Sequence, residues 1–227
     1  MRPLTTTSYA VLGLLAVRPR SAYDLVRQIK RSNVRLIWPR AESKLYEEPK
    51  TLVAHGLASA AVARTGARRR SVYRITPRGR HALRQWLDEP GAALLLEFES
   101  MVKVVYGDFG TKEQLLANIR RIRDGTVERA SASLPLVQEL AEVGPRFPER
   151  AHVIAVADRF LVEILQTTLR WAEWAEHVVG EWSGTRQDRA MASQARRVLA
   201  ENAAAVEVIA ARASRAAKSA SDVRRAR

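Results

Sequence analysis

Apolar side chains near the start of the chain recur at the spacing of an α-helix. Threonines come first, and the apolar positions that follow are Tyr9, Leu12, Leu15 and Ala16. Pro19 lacks a backbone N–H and restricts the residue before it, so this helix is expected to end before it. The segment therefore predicts an amphipathic first helix of about three turns.

A second helix is predicted to begin almost at once, with Ser21 as its N-terminal cap. Asp24 follows three residues later, which is the spacing of a capping box. The apolar stripe of this helix is predicted to run through Tyr23, Val26 and Ile29.

A third helix is predicted from about Pro39 or Arg40 onward. Leu45 and Leu52 are seven residues apart, so they fall on one face of the helix and are expected to point inward. Gly56 provides the C-terminal stop, because glycine readily adopts the left-handed conformation that ends a helix.

Two β-compatible runs follow, at residues 57–63 and 71–75, separated by the sequence RTGARRR. They predict a hairpin with a loop of about three to seven residues. A further helix is predicted from Pro77 to Pro90. The order of three helices, two strands and a helix is that of a winged helix-turn-helix, whose third helix can enter the major groove of DNA.

The rest of the chain shows helical periodicity without a strand signal. Thr111 and Gln114 form a second capping box, which starts a helix that runs toward Leu134 and is expected to kink or break at Pro135. A later segment has a heptad seam with steps of four and three residues. The seam positions are Leu161, Leu165, Thr168, Ala172, Ala175 and Val179.

Other apolar residues widen this surface beyond the seam: Phe160, Ile164, Trp171, Trp174 and Val178. A helix that is apolar on more than one face needs two partners, and a second copy of the chain is the partner we expect. Burial inside a monomeric helical bundle is the alternative. The final segment is rich in Ala and Arg and is expected to be partly helical, with about ten disordered residues at its end.

These patterns predict a mainly α-helical protein with one small β-hairpin. The expected domains are a winged helix-turn-helix over 1–90, a helical dimerisation and effector domain over 91–183, and a basic C-terminal extension over 184–227. A chain of 227 residues without cysteine excludes disulfide scaffolds and thiolate metal sites. No run approaches the roughly 20 apolar residues of a membrane helix, so we expect a cytoplasmic protein that is associated with the nucleoid and not with a membrane.

The net charge of +14 is unevenly distributed. Residues 1–90 carry 18 basic and 6 acidic side chains, residues 91–184 carry 10 and 14, and residues 185–227 carry 10 and 4. A basic first segment indicates a polyanionic partner. Arginines that merely decorate a solvated surface are the alternative explanation.

Catalysis has little support in the sequence. The four histidines are scattered over different predicted helices, and no metalloprotease, phosphate-loop or nucleophile-elbow motif is present. We therefore expect no catalytic residue, no metal site and no cofactor. The remaining competitor is a basic helical interaction protein that binds nucleic acids or membrane surfaces without sequence specificity.

Three motifs appear in order within the first 90 residues: YAVLGLLAVRPRSAYDLVRQI, WPRAESKLYEEPKTLVAHGL and RRRSVYRITPRGRHALRQWL. Together they resemble the PadR family of bacterial transcriptional regulators, in particular the branch with a long helical C-terminal domain. The resemblance implies a winged-helix DNA-binding domain, a helical dimerisation domain, and a regulator that is usually a repressor. The chain departs from the family pattern at Pro49, which interrupts the third helix, and in the segment after about residue 183.

The expected partners are double-stranded DNA, a second copy of the chain, and a small aromatic or hydrophobic effector. On the third helix, one glutamate at least is expected to face away from DNA or to pair with a cation, since carboxylates repel phosphates. The candidate DNA-binding residues are Tyr23, Arg40, Ser43, Lys44, Tyr46, Glu47, Lys50, Thr51, Arg64, Arg68, Arg69 and Arg70.

Aromatic and methionine side chains suit a flat apolar ligand, although such residues are more often part of a core. The candidate effector pocket comprises Trp38, Phe98, Met101, Trp171 and Trp174.

Overall fold

The computed structural model describes residues 2–32, 34–65 and 68–225. Its side chains are described for the same residues, apart from Leu36, Arg64, Thr65, Arg68, Arg69 and 213–225. The described chain is mainly helical with one small antiparallel sheet, as the sequence predicted. It divides into two compact units, of which the first contains residues 1–96 and 138–164 and the second contains 97–137 and 165–227.

The first unit contains five N-terminal helices and the sheet. The helices are α1 (Thr6–Val17), α2 (Ala22–Lys30), α3 (Val34–Ile37), α4 (Glu42–Ala54) and α5 (Pro77–Asp88). The strands are β1 (Arg20–Ser21), β2 (Ala58–Thr65) and β3 (Arg68–Ile75), in the order β1-β3-β2. Neither the two-residue strand β1 nor the single turn α3 was predicted, because both are too short to show a periodic pattern.

Two predicted helix boundaries of this unit are confirmed by their caps. Ser21 and Asp24 form a reciprocal capping box at the start of α2. Gly56 follows α4 with φ of 70°, where its N–H bonds to the carbonyl of Val53 and the N–H of Leu57 bonds to that of Leu52. These paired bonds satisfy carbonyls that the helix end leaves unpaired.

The core of the first unit joins α1, α2 and α4 to the sheet. Tyr9 of α1 also stacks on Trp86 of α5, with ring centroids 4.9 Å apart. Tyr23 lies outside this core, which corrects its predicted place in the apolar stripe of α2; Leu25 takes that place. The buried apolar residues are Val11, Leu12, Leu15, Leu25, Val26, Ile29, Leu45, Leu52, Leu57, Ala58, Tyr73 and Ile75.

Two prolines that were expected to interrupt helices lie inside continuous ones. The helix α4 runs through Pro49, and α7 (Lys112–Glu142) runs through Pro135. A proline removes one amide donor, but the hydrogen bonds on either side remain. Pro49 is also fully buried, so its ring contributes to the core that holds α4 in place.

The remaining helices are α6 (Glu99–Val105), α8 (Ala151–Gly180) and α9 (Arg189–Arg225). A capping box is confirmed before α7, where the backbone N–H of Thr111 bonds to Gln114 and that of Gln114 bonds to Thr111. The helix α9 is described as far as Arg225, within the segment for which about ten disordered residues were expected at the end.

In the second unit, α7 packs on the C-terminal half of α8. Leu115 and Ile119 meet Ala175 and Val179 in a small buried cluster. Beside it, Glu176 accepts hydrogen bonds from Arg120 Nε at 2.6 Å and from Arg123.

Candidate nucleic-acid interface

The helix α4 has one buried face and one exposed face. Leu45 and Leu52 are almost fully buried, as predicted. Because α4 is held along one side only, its opposite side is left open to solvent. The predicted DNA-contacting residues of α4 on this side are Ser43, Lys44, Tyr46, Glu47, Lys50 and the half-buried Thr51.

A buried carboxylate fixes α4 to the N-terminal segment. Glu48 is fully buried, where it accepts a hydrogen bond of 2.8 Å from the hydroxyl of Ser8 and another from the guanidinium of Arg2. Arg2 also lies 3.9 Å from Glu47, and its carbonyl oxygen lies 2.8 Å from His55 Nε2 at the end of α4. One glutamate thus faces away from the exposed side and pairs with a cation, as expected.

Glu48 and Arg2 were not singled out in the sequence as a pair. The helical spacing did contain the signal for Glu48, because it lies between Leu45 and Leu52 on the inward face. Nothing in the sequence indicates that Arg2, 46 positions away, is its partner.

The start of α2 presents the second part of this surface. Tyr23 is 61% exposed. Beside it, Asp24 Oδ2 accepts a 2.7 Å hydrogen bond from Ser21 and lies 3.7 Å from Arg70 of β3. The Ser21 hydroxyl is the main cause that lowers the pKa of Asp24, and the charges of Arg70 and Arg20 lower it further, while burial acts in the opposite direction. Arg70 was predicted to project from the hairpin tip, whereas its side chain is paired with the cap of α2.

Arg40 precedes α4 and is exposed. Its guanidinium lies over the ring of Trp38, 4.0 Å from the centroid, and donates a 2.7 Å hydrogen bond to the carbonyl of Pro39. Trp38 in turn donates its indole N–H to Thr7 Oγ1 at 3.0 Å. This stack orients Arg40 next to the first turn of α4.

The hairpin is longer than predicted, since its strands continue to Thr65 and resume at Arg68. The backbone register pairs Arg64 with Arg69 and Thr65 with Arg68. The predicted loop arginines are therefore strand residues at the far end of the hairpin. The side chains of Arg64, Arg68 and Arg69, and the glycine at 66 that was expected to form the turn, lie outside the described residues.

The predicted dimerisation residues separate into two groups in the structure. Ala172, Ala175 and Val179 are buried against their own chain. The others are half-buried: Leu161, Leu165 and Thr168. Exposed apolar side chains lie instead on a neighbouring stripe of α8, at Val153, Val156 and Phe160.

The predicted effector-pocket residues are divided between the two units. Trp38 lies in the first unit, and the other four lie in the second. Trp171 packs against the buried cluster of α7 and α8, whereas Trp174 is 44% exposed. The predicted pocket also includes Phe98, which is exposed, and Met101, which is half-buried.

The second unit does contain an open cavity of about 500 Å³ between α6 and α7. Tyr106, Asn118 and Arg121 are among its lining residues, and none of the predicted pocket residues is. Asn118 donates a 2.8 Å hydrogen bond to the carbonyl of Ser100, which fixes one wall.

A helix with an open face, a second helix that is capped beside it, and a basic hairpin occupy residues 20–75. A family model describing the transcriptional regulator PadR-like family matches residues 11–85. The chain carries a PadR-like domain. This domain spans α1, α2, α4 and the hairpin, which are the elements that the sequence motifs indicated. No curated protein sequence matches the chain at a significant level.

Solved structures share the fold over a longer range than this PadR-like domain. Bacillus subtilis PadR in complex with operator DNA superposes with a TM-score of 0.66 at 19% identity, over 78% of this chain and 98% of that one. The same protein in complex with p-coumaric acid superposes with a TM-score of 0.62 at 19% identity, over 79% of this chain and 100% of that one. The Vibrio cholerae virulence activator AphA superposes with a TM-score of 0.59 at 18% identity, over 77% of this chain and 98% of that one. At these identities, the likeness concerns the fold.

Within the described ranges, no helix combines the length and hydrophobicity needed to cross a membrane. The same residues contain no group of three or more His, Asp or Glu side chains placed to hold a metal ion.

Proposed function

We propose that the chain is a PadR-family transcriptional regulator that binds double-stranded DNA sequence-specifically in the cytoplasm, with α4 in the major groove. The observation that carries the proposal is the exposed face of α4 within the PadR-like domain. That face combines lysines and hydroxyls, which donate to guanine, other base edges and phosphates. The fold shared with Bacillus subtilis PadR on operator DNA supports this placement.

The basic hairpin supplies the second contact. Paired arginine positions at its far end suit phosphates or a narrow minor groove, whose negative potential attracts guanidinium groups. Tyr23 and Arg40 stand beside α4 and extend the same contact to the DNA backbone. Each neutralised phosphate releases counterions, so affinity should decrease steeply as the salt concentration increases.

The proposed binding unit is a homodimer on a near-palindromic operator. Two copies related by a twofold axis would read half-sites about 34–36 Å apart, which is one turn of DNA. The exposed apolar stripe at Val153, Val156 and Phe160 supports pairing through α8, because such side chains gain stability when a second copy covers them.

The proposed direction of regulation is repression, relieved by a small aromatic or hydrophobic effector. The Bacillus subtilis neighbour in complex with p-coumaric acid supports a ligand of this kind. An effector acts only if it binds the DNA-competent and DNA-incompetent states with different affinities. A promoter fusion to a reporter tests the sign, because deletion of the regulator should increase expression from a repressed promoter.

The experiment that tests DNA recognition uses fragments that the purified protein retains from genomic DNA. Affinity for a retained fragment and for a scrambled version is measured by fluorescence anisotropy over a range of salt concentrations. Lys44→Ala should reduce the ratio of the two affinities, because its ammonium group is lost from the base-reading face. Arg69→Ala should weaken both affinities and reduce the salt slope by about one.

Arg129→Ala is the matched control, since it removes one exposed positive charge from α7 outside the PadR-like domain. It should leave the salt slope and the affinity ratio unchanged. Equal affinity of the wild-type protein for retained and scrambled fragments would contradict the proposal and favour nonspecific binding.

A further inference from the structure

Two arginines of the first unit lie over the ring of one phenylalanine, and a third arginine precedes that phenylalanine in the chain. Phe147 lies between α7 and α8, in the part of that region that belongs to this unit. The guanidinium carbon of Arg18 lies 5.3 Å from the centroid of the Phe147 ring, and that of Arg20 lies 5.9 Å from it. The charge of Arg146, the residue before Phe147, acts on Arg20 as well.

Arg20 is the unusual member of this group, because it is only 4% exposed. Its Nε is buried without any hydrogen-bond partner among the described residues. A buried charge without a partner is costly, and a buried N–H donor without an acceptor adds to the cost. Burial first, and then the like charges of Arg18 and Arg146, lower the pKa of Arg20.

The carboxylate that acts on this cluster is already engaged with other groups. Asp24 is the acidic group that acts on Arg20, but its oxygen already accepts from Ser21 and lies in an ion pair with Arg70. Among the described residues, no carboxylate forms an ion pair with Arg18, Arg20 or Arg146. The cluster thus has three permanent cations and a free buried donor, which is the arrangement that binds an oxyanion.

We propose that Arg18, Arg20 and Arg146 form a binding site for a small oxyanion, a carboxylate or a phosphate group, beside the ring of Phe147. The exposed Arg146 and half-buried Arg18 leave an approach from solvent. A bound oxyanion neutralises the repulsion among the three guanidinium groups and accepts a hydrogen bond from Arg20. The three cations are contributed by two distant segments of the chain, so the anion stabilises their contact.

The site adjoins the hairpin, since Arg20 of β1 pairs in the sheet with Tyr73 of β3. A bound anion therefore acts on the strand that carries the proposed DNA-contacting arginines. This regulatory consequence rests on the proposed function, whereas the binding of the anion does not.

The test measures binding in the absence of DNA. Sodium benzoate and sodium phosphate are titrated separately into the full-length protein at constant ionic strength, with sodium chloride as the reference. Isothermal titration calorimetry and the thermal unfolding midpoint are recorded. At a ligand concentration of ten times its dissociation constant, folding should be favoured by a factor of about 11.

Arg146→Gln is the decisive variant, because this side chain is exposed and its loss should not affect folding. It should weaken binding of the oxyanion by about tenfold or more, since one of three charge-assisted contacts is lost. Arg20→Leu should abolish binding, because it removes the buried donor. Leucine places an apolar side chain in this buried position. Arg150→Gln is the matched control in the same segment, and it should bind as the wild type does.

Binding of benzoate alone assigns the site to carboxylates, and binding of phosphate alone assigns it to phosphate groups. The proposal is overturned if the wild type binds neither anion. It is also overturned if the wild type and Arg146→Gln bind an anion equally well. A variant that loses DNA affinity while the wild type binds neither anion identifies the cluster as a DNA contact. Failure of sequence-specific DNA binding would leave the anion titration unaffected, so the two proposals can fail separately.

Discussion

The buried pair between Arg2 and Glu48 should determine how firmly α4 is held. Arg2→Ala removes the guanidinium and leaves the Glu48 carboxylate buried, with the hydroxyl of Ser8 as its remaining partner. A buried carboxylate that loses a partner is destabilised by more than the lost contact, because water cannot fully replace it. The expected result is local opening of α4 together with the N-terminal segment.

The magnitude follows from the exposure of the two side chains. Breaking a fully buried ion pair costs about 3–5 kcal/mol, and a hydrogen bond to a charged group contributes about 1.5–3 kcal/mol. Glu48 is 0% exposed but Arg2 is 39% exposed, so water reaches one side of the gap. We therefore expect a loss of about 2 kcal/mol, which is roughly a thirtyfold increase in the opening equilibrium.

Hydrogen exchange measured on peptides from 42–54 reports this opening directly, because the two units need not unfold together. Arg2→Ala should accelerate exchange in these peptides by roughly thirtyfold. In a Glu48→Gln background the same substitution should have a much smaller effect, because the buried charge is absent. Glu47→Gln is the matched control, since that exposed carboxylate lies 3.9 Å from Arg2 and contributes little.

A change of less than about twofold in Arg2→Ala would refute the reasoning, because an effect that small is below half a kcal/mol. Loss of the effect in the Glu47→Gln background would also refute it, by assigning the interaction to the exposed glutamate.

Three further predictions concern packing, pH and assembly. Gly79→Ala should lower the thermal midpoint strongly, at a cost of about 3 kcal/mol in stability, because its Cβ would lie 2.1 Å from the carbonyl oxygen of Leu57. Gly13→Ala, whose Cβ would have no atom within 4 Å, should raise the midpoint, with a gain of about 0.5–1 kcal/mol in stability. The folded-state pKa of Asp24 is lowered, so its stabilising contribution is present above the unfolded pKa and lost as pH decreases through the folded one. Asp24→Asn should thus make the stability of the first unit less dependent on pH below about pH 4. The same loss of stability on acidification in the variant and in the wild type would contradict this. Phe160→Glu should shift the protein toward monomer in sedimentation at micromolar concentration, whereas the exposed control Arg129→Ala should not; a wild-type protein that is already monomeric would contradict the proposed dimer.

Much of the fold was predictable because its signals are local. The capping boxes at Ser21 and Thr111 and the stop at Gly56 each depend on residues within four positions. Leu45 and Leu52 defined the inward face of α4 in the same way, and so placed half of the candidate DNA-binding residues on the opposite side. Short-range hydrogen-bonding rules and helical periodicity are sufficient for such features.

The features that were missed depend on contacts between distant residues. The partner of Glu48 is 46 positions away, and Arg70 is paired with Asp24 across the same distance. The strand β1 exists because β3 offers an edge to two residues that have no strand pattern of their own. Continuity of α4 through Pro49 likewise depends on the core that surrounds this buried proline, whereas α7 continues through Pro135 at an exposed position.

The heptad seam of α8 shows the same limit. Its periodicity predicted an apolar face but not what covers that face. In the structure, α7 of the same chain covers Ala175 and Val179. The exposed stripe of Val153, Val156 and Phe160 could not be distinguished from the covered one by periodicity alone.

The measurement that tests the central claim most directly is a footprint of the wild-type protein on a retained genomic fragment. The account predicts two protected half-sites with inverted sequence, whose centres are separated by about one helical turn of DNA. It also predicts that Lys44→Ala weakens this protection more than it weakens binding to scrambled DNA. Uniform protection along the fragment, equal on scrambled DNA and unaffected by Lys44→Ala, would contradict it.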